Sequence, residues 1–418
     1  MIKSMIKRMS NNYSQTLFVI FTLITGSLQV SADSQSKAIQ KLVDKTMSTF
    51  QVPGVAIGII KEGEIVLAKG YGTADLATGN AVNQDTIFKI ASNSKAFTAA
   101  SLAILVDQGK LDWNDKVVTY LPDFQMIDPW ITKEFNIIDL LTHRSGLGRF
   151  AGDLMIWPEP TKFTRADVVK NLRHLKVTSS FRSRYAYDNL LYIVAGELVA
   201  TVSGMPWEEF VAQHIFKPLG MDRCYAGGIN VDQVSNLVAT HVLVDKELII
   251  DVPNLINDKT SLMAAAGGIK CSVSNLLSWV DMLLQGGSLK NQTVISLEQR
   301  DMLWKSVTPL SISNKLRALE DIHYRGYALG WRVSDYQKHW TVSHTGTLSG
   351  SASKVILLPD QKLGIVILTN RDSSDARNAL YHGLMQEFKT HKNIDWVDYF
   401  QKERAEKEKQ KLLPDPEM

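Results

Sequence analysis

Apolar residues recur at Ile39, Leu42, Val43, Met47 and Phe50, a helical spacing that predicts an amphipathic helix near the amino end. Two apolar runs follow, Gly54 to Ile60 and Glu64 to Tyr71, and the Lys-Glu-Gly turn between them predicts a hairpin. Strand-like patterning returns near the other end of the chain, over Ala328 to Val333, Trp340 to Ser343, Ala352 to Leu358 and Leu363 to Thr369. Pro359-Asp360-Gln361-Lys362 reads as a tight turn between the last two. A second amphipathic helix carries Ala376, Ala379, Leu380, Leu384 and Phe388 on one side.

The middle of the chain differs. From Ser92 to about Ser278 the pattern is mostly helical, punctuated by Pro122, Gly146, Pro158, Gly204 and Pro218. Short loops between the late strands imply antiparallel pairing. The expected fold is therefore α+β: an antiparallel sheet built from both ends, flanked by terminal helices, with a mainly helical region inserted at about 92–278. A cleft between the two parts is a natural place for a site. Gln401 to Gln410 is strongly charged and Pro414 and Pro416 follow, so the end reads as a solvated helix end or frayed tail.

Composition narrows the partners. The chain of 418 residues is 45% hydrophobic and 21% charged, which is ordinary for a globular protein. Lys3, Lys7 and Arg8 precede an apolar run from Leu17 to Leu28, and Val30-Ser31-Ala32 offers small residues before Asp33. This reads as a cleaved secretory signal, 1–32, and places the mature protein outside the cell or in the periplasm. The alternative is an uncleaved anchor, although the run is shorter than the roughly 20 residues that span a bilayer. Of the 46 basic residues three lie in that segment, which has no acid, so 43 remain against 43 acidic ones. A neutral mature chain has no electrostatic footprint for nucleic acid or an anionic membrane. The expected partner is a small-molecule or peptide substrate, with no stable membrane anchor after signal cleavage; oligomeric state is not legible. Cys224 and Cys271 fit either a disulfide or two buried thiols. Neither has a histidine at metal-ligand spacing, so no metal is expected.

A Ser-x-x-Lys pattern begins at Ser4, Ser34, Ser92 and Ser351, but only Ser92 opens a good helix. On a helix, residues three apart are surface neighbours, so Lys95 can reach the Ser92 hydroxyl. Serine is a weak nucleophile until a base takes its proton, and lysine is a base only when its amine is neutral. Burial and the positive end of a helix dipole both favour the neutral amine. Taken alone, Ser92 fits a helix cap better than a nucleophile, Tyr187 a core tyrosine and Asn189 a cap. Two further motifs change the balance: Tyr187-Asp188-Asn189, ahead of the apolar run from Leu190 to Gly196, and His344-Thr345-Gly346, followed by Thr347. Framework segments accompany them: Phe88-Lys89-Ile90-Ala91 before the nucleophile, Leu140 to Leu147, Ala266-Gly267-Gly268-Ile269 and Leu329-Gly330-Trp331.

In order and spacing these motifs resemble the serine β-lactamase and penicillin-binding-protein superfamily, its class C β-lactamase-like branch above all. The resemblance runs from about Ala38 to Phe388. It implies a hydrolase domain at 33–392 and a charged tail at 393–418. It also implies that Ser92 is the acylated nucleophile and that Lys95 and Tyr187 shuttle its proton, with the phenolate of Tyr187 favoured by the nearby lysine. Asn189 would bond Lys95 and substrate, and the backbone N–H groups of Ser92 and Thr347 would form the oxyanion hole. Thr345 and Gly346 would line the substrate strand. His344 stands where dedicated β-lactamases usually carry a lysine that helps hold a substrate carboxylate, and a neutral imidazole holds one less well. It is expected to line the site, whereas His143 is expected to be structural. The resemblance implies hydrolysis of an amide, ester or β-lactam bond without a cofactor. The alternative is a non-catalytic penicillin-binding-type sensor or scaffold, whose mark would be a broken Ser, Lys or Tyr; all three are intact. No stretch matches the Gly-x-Ser-x-Gly elbow of α/β-hydrolases.

Overall fold

The computed structural model describes residues 34–251, 261–388 and 394–411. The expected signal and the two carboxyl-terminal prolines lie outside them. Contacts group the chain into two units: Gln51–Arg377, and the residues up to Phe50 together with those from Asn378 onward.

The larger unit holds an antiparallel sheet of eight strands. The chain contributes β1 (Gly54–Lys61) and β2 (Glu64–Gly72) early. A short strand β3 (Ile87–Lys89) belongs to a second sheet, with β4 (Cys224–Ala226) and β5 (Ile269–Ser272). The late strands are β6 (Thr308–Pro309), β7 (Arg325–Tyr327), β8 (Arg332–Tyr336), β9 (His339–Leu348), β10 (Ser351–Leu358) and β11 (Leu363–Thr369). The main sheet runs β6-β7-β8-β9-β10-β11-β1-β2, so β1 from one end pairs with β11 from the other, Val55 opposite Thr369 through Lys61 opposite Leu363. Both ends thus meet in one sheet, as the patterning implied.

One expected strand is replaced by a turn. Ala328 to Val333 is not continuous: β7 ends at Tyr327, β8 begins at Arg332, and those two residues are register partners. Ala328 N–H donates to Trp331 C=O at 2.7 Å and Gly330 sits at φ +79°, a left-handed geometry that glycine adopts without strain. The apolar run there reflects a buried turn, which periodicity does not separate from a buried strand.

The helical region centres on α1 (Ser94–Asp107) and α2 (Leu190–Ser203). Every residue of α1 from Ser94 to Leu105 is buried, so this helix is enclosed on all sides. Phe97 stacks on Trp279 at 4.2 Å between centroids, tying α1 to α3 (Val273–Leu284). Gly58 on β1 and Gly364 on β11 let α3 lie close to the sheet, since a Cβ at either would collide with Val273 or Val280. In the second sheet Cys224 and Cys271 are direct cross-strand partners, Cα atoms 4.1 Å apart, and they form a disulfide. Of the two readings left open for these cysteines, the structure has the paired one.

The smaller unit contains a helix over 34–50, the later part of α4 (Ser374–Phe388) and α5 (Trp396–Lys411). Lys45 pairs with Asp395 at 2.5 Å and Asp398 at 2.7 Å, and the His382 ring stacks on Trp396. The charged end is therefore a helix, with Trp396 and Val397 buried in its first turn. Among the described residues no single helix is long and apolar enough to cross a membrane.

Candidate active site

Ser92 lies in a single 3-10 turn, Ala91–Asn93, immediately before α1. Ala91 is held at φ +50°, uncommon for a residue with a Cβ and sustained only where its surroundings fix it. Those surroundings are explicit. Ser94 Oγ donates to Ala91 C=O at 2.7 Å and accepts from Ile269 N–H at 3.0 Å, and Asn93 Nδ2 donates to Ser353 Oγ at 2.8 Å.

One residue beyond that serine, Lys95 is fully buried. Its ammonium has three donors and finds three acceptors: Ala266 C=O at 2.7 Å, Asn189 Oδ1 at 2.9 Å and Ser92 Oγ at 3.4 Å. Burial lowers this amine to about 7, and the positive charge of Arg332 adds to the effect. Tyr187 is hydrogen-bonded to Ser92, and its ring lies 4.9 Å from the Lys95 amine. Burial pushes the phenol up to about 12. The expectation of a favoured phenolate is thus reversed: desolvation outweighs the charge of Arg332 and the hydrogen bond to Ser92.

The Tyr-Asp-Asn segment divides its work. Asp188 caps α2, its carboxylate accepting from Leu191 N–H at 3.2 Å, and its own N–H donates to His143 Nδ1 at 3.1 Å. Asn189 stands at the cap position of α2 but makes no side-chain cap bond. Its amide bridges instead from Lys95 to Asp153 Oδ2, 2.9 Å from Asn189 Nδ2. Asp153 thereby fixes which end of the amide faces the lysine. His143 is buried beneath the Tyr187 ring, centroids 4.3 Å apart, in keeping with a framework position.

On the sheet side, β9 pairs with β8 only as far as Ser343, but with β10 through Leu348. From 344 onward no strand among the described residues covers the other edge, where an extended ligand could pair. Thr345 and Thr347 line a cavity of about 1360 Å³ together with Ser92, Tyr187, Asn189, Asp153 and Arg332. Gly346 lacks a side chain for a nearer reason than the one expected: a Cβ would collide with Ile90 C=O and Ser353 Oγ, so glycine lets β9 pack against the nucleophile turn. Arg377 holds that stretch, donating to Gly346 C=O at 3.0 Å and Thr347 Oγ1 at 2.9 Å.

His344 departs from its expected place. It is wholly buried and does not line the cavity. Its Nδ1 is 2.8 Å from Thr345 C=O and its Nε2 3.0 Å from the Tyr327 hydroxyl, and burial holds the ring well below its usual pKa. Alternation explains the difference: Thr345 and Thr347 share the face that meets the cavity, whereas His344 and Gly346 share the opposite one. Five arginines line the cavity, and among them Arg332, hydrogen-bonded to Tyr185, has a buried Nη1 that finds no hydrogen-bond partner among the described residues. Sequence reasoning missed Arg332, Asp153 and Arg377. Only Arg332 carried a signal, as the basic residue directly after Leu329-Gly330-Trp331. Among the described residues no group of three or more His, Cys, Asp or Glu is placed to hold a metal.

Comparison with known proteins places the fold. An unguisins hydrolase of Aspergillus campestris is 28% identical over 387 residues, covering 89% of this chain and 69% of that protein. Protein flp of Staphylococcus aureus is 26% identical, with 88% and 69% covered. An octameric penicillin-binding protein homologue from Pyrococcus abyssi superposes with a TM-score of 0.70 at 23% identity, over 84% of this chain and 77% of that one. A class C beta-lactamase superposes with a TM-score of 0.68 at 20% identity, over 86% and 98%. The Beta-lactamase family model matches residues 39–387, nearly the whole described chain, a span that holds Ser92, Lys95, Tyr187 and Asn189, and the protein belongs to the beta-lactamase family.

Proposed function

We propose that the protein hydrolyses an amide or ester bond through an acyl-enzyme on Ser92. The observation that carries this reading is the Lys95 amine, buried, lowered to about 7 and 3.4 Å from Ser92 Oγ. In the first step Ser92 Oγ attacks the substrate carbonyl carbon, and its proton passes to neutral Lys95, directly or through the Tyr187 hydroxyl. Charge on the carbonyl oxygen is met by the backbone N–H groups of Ser92 and Thr347. Collapse expels the amine or alcohol, which takes the proton back from Lys95. Water then attacks the ester carbonyl by the same proton path, releases the acid and restores Ser92. Asn189 orients Lys95, and Asp153 orients Asn189.

Arg332 gives the leaving-group side its preference. A buried guanidinium donor without a partner suits a carboxylate, and Thr345 lies in the same cavity. The substrate class is thus a peptide-like amide or ester with a free carboxylate beyond the scissile bond; the unguisins hydrolase is a hydrolytic precedent. Secretion or a periplasmic location fits the basic and apolar segment at 1–32 and the Cys224–Cys271 disulfide. The test is Ser92→Ala: turnover and covalent labelling by a fluorophosphonate should both vanish, and full turnover in that variant would overturn the reading.

A further inference from the structure

A second cavity, of about 490 Å³, adjoins the first and shares Trp157, Met263 and Leu348 with it. Its floor belongs to the second sheet, where Lys89 on β3 and Lys270 on β5 are direct cross-strand partners and both line the space. Like charges opposite each other in a ladder are unfavourable. Among the described residues neither amine makes an ion pair. Lys270 Nζ donates to Gly227 C=O at 2.7 Å. Arg165 also lines the cavity, but its guanidinium is engaged by Glu208 and Glu197. Glu159 at the rim and Asp251 nearby offset part of the positive field. Burial lowers Lys89 to about 7 and Lys270 to about 8, so an anion between them would raise both.

The position of this floor matters as much as its charge. Lys89 leads directly into the turn that carries Ser92, and Lys270 follows the 264–268 turn whose Ala266 carbonyl holds Lys95. Along β9 the two cation sites lie in opposite directions: Thr345 borders only the cavity of Arg332, whereas Leu348 borders both. With the leaving-side carboxylate proposed at Arg332, a substrate extended along that edge with its carbonyl at Ser92 would have its acyl group toward Leu348.

We propose that the second cavity is the acyl pocket and takes an acyl chain ending in a carboxylate, its methylenes against Trp157, Phe163, Met263 and Leu348 and its charge between Lys89 and Lys270. This inference rests on the acyl-enzyme reading of Ser92 for its orientation. The test compares the p-nitrophenyl ester of hexanoic acid with the mono-p-nitrophenyl ester of adipic acid, which differ at the far end of one acyl chain. In the native protein kcat/KM should favour the adipyl ester by roughly tenfold, and Lys270→Gln or Lys89→Gln should each remove most of that preference. A ratio at or below one, or a ratio that neither substitution changes, overturns the proposal.

A binding measurement separates failure of the pocket from failure of the reaction. Free adipate should raise the thermal midpoint of the native protein more than hexanoate does. That difference should persist in Arg332→Met and disappear in Lys270→Gln. If neither ester is hydrolysed but this pattern is found, the acyl-enzyme reading fails and the anion pocket stands. If the pattern is absent, or if it follows Arg332 instead, the pocket fails.

Discussion

The two walls of the catalytic cavity are built differently. On the helical wall, Ser92, Lys95, Tyr187 and Asn189 sit on or beside enclosed helices, and the Lys95 amine has a partner for each of its donors. On the sheet wall, Thr345 and Thr347 lie along an edge that no strand among the described residues covers, and Arg332 Nη1 finds no hydrogen-bond partner among them. Full satisfaction fixes geometry and tunes a pKa, whereas an open donor waits for a ligand. On the proposed acyl-enzyme reading, the contrast would divide proton chemistry, on the helices, from recognition, on the strand.

The sharpest way to break that division is Lys95→Met, which keeps the stem and removes the base. A fall of about 10³-fold or more in kcat/KM is expected, with little change in the binding of a carboxylate-bearing inhibitor. Comparable losses of both would mean that the walls are not separate. A pH profile comes next. Because the reactive form of Lys95 is the neutral one and its amine sits at about 7, kcat/KM should climb tenfold per pH unit below 7 and level off above it. Tyr187, pushed to about 12, should leave the plateau undisturbed through the alkaline range. A flat profile between pH 5 and 8 would contradict Lys95 as the base.

On the other wall, Arg332→Met should raise KM about tenfold for a substrate with a free leaving-side carboxylate and leave its methyl ester unaffected. An equal loss for both would make Arg332 structural. The smallest effect is expected from Arg377→Met, which removes the two bonds to Gly346 C=O and Thr347 Oγ1. A drop of roughly three- to tenfold in kcat, with KM nearly constant, would place its influence on the oxyanion strand and not on binding.

Much of the larger unit was legible because its order follows local pattern. The hairpin of β1 and β2 and the pair β10 and β11 follow apolar runs and turn residues. Ser92, Lys95, Tyr187 and Asn189 were found because each sits in a short motif. What escaped depends on contacts between residues far apart in sequence. Asp153 meets Asn189 across 36 positions and Arg377 meets Gly346 across 31, and neither has a local motif. His344 was placed in the cavity because a motif position does not reveal which face of a strand is covered. The direction of the Tyr187 shift was misjudged for a related reason. A nearby charge can be guessed from a motif, but the depth of burial that outweighs it cannot.

The β1–β11 pairing sets a timetable for the protein's making. Ser92 emerges early from the ribosome, but Thr347 and Arg377 come near the end, the latter 285 positions after the serine. At roughly 5–20 residues per second that interval is about 15–60 s. Throughout it Ser92 exists without β9, so if Ser92 is the nucleophile a still-growing chain would carry the serine without the strand proposed to polarise a substrate. On the proposed acyl-enzyme reading, synthesis would leave Ser92 inert until β9 is in place, a form of safety that needs no separate inhibitor.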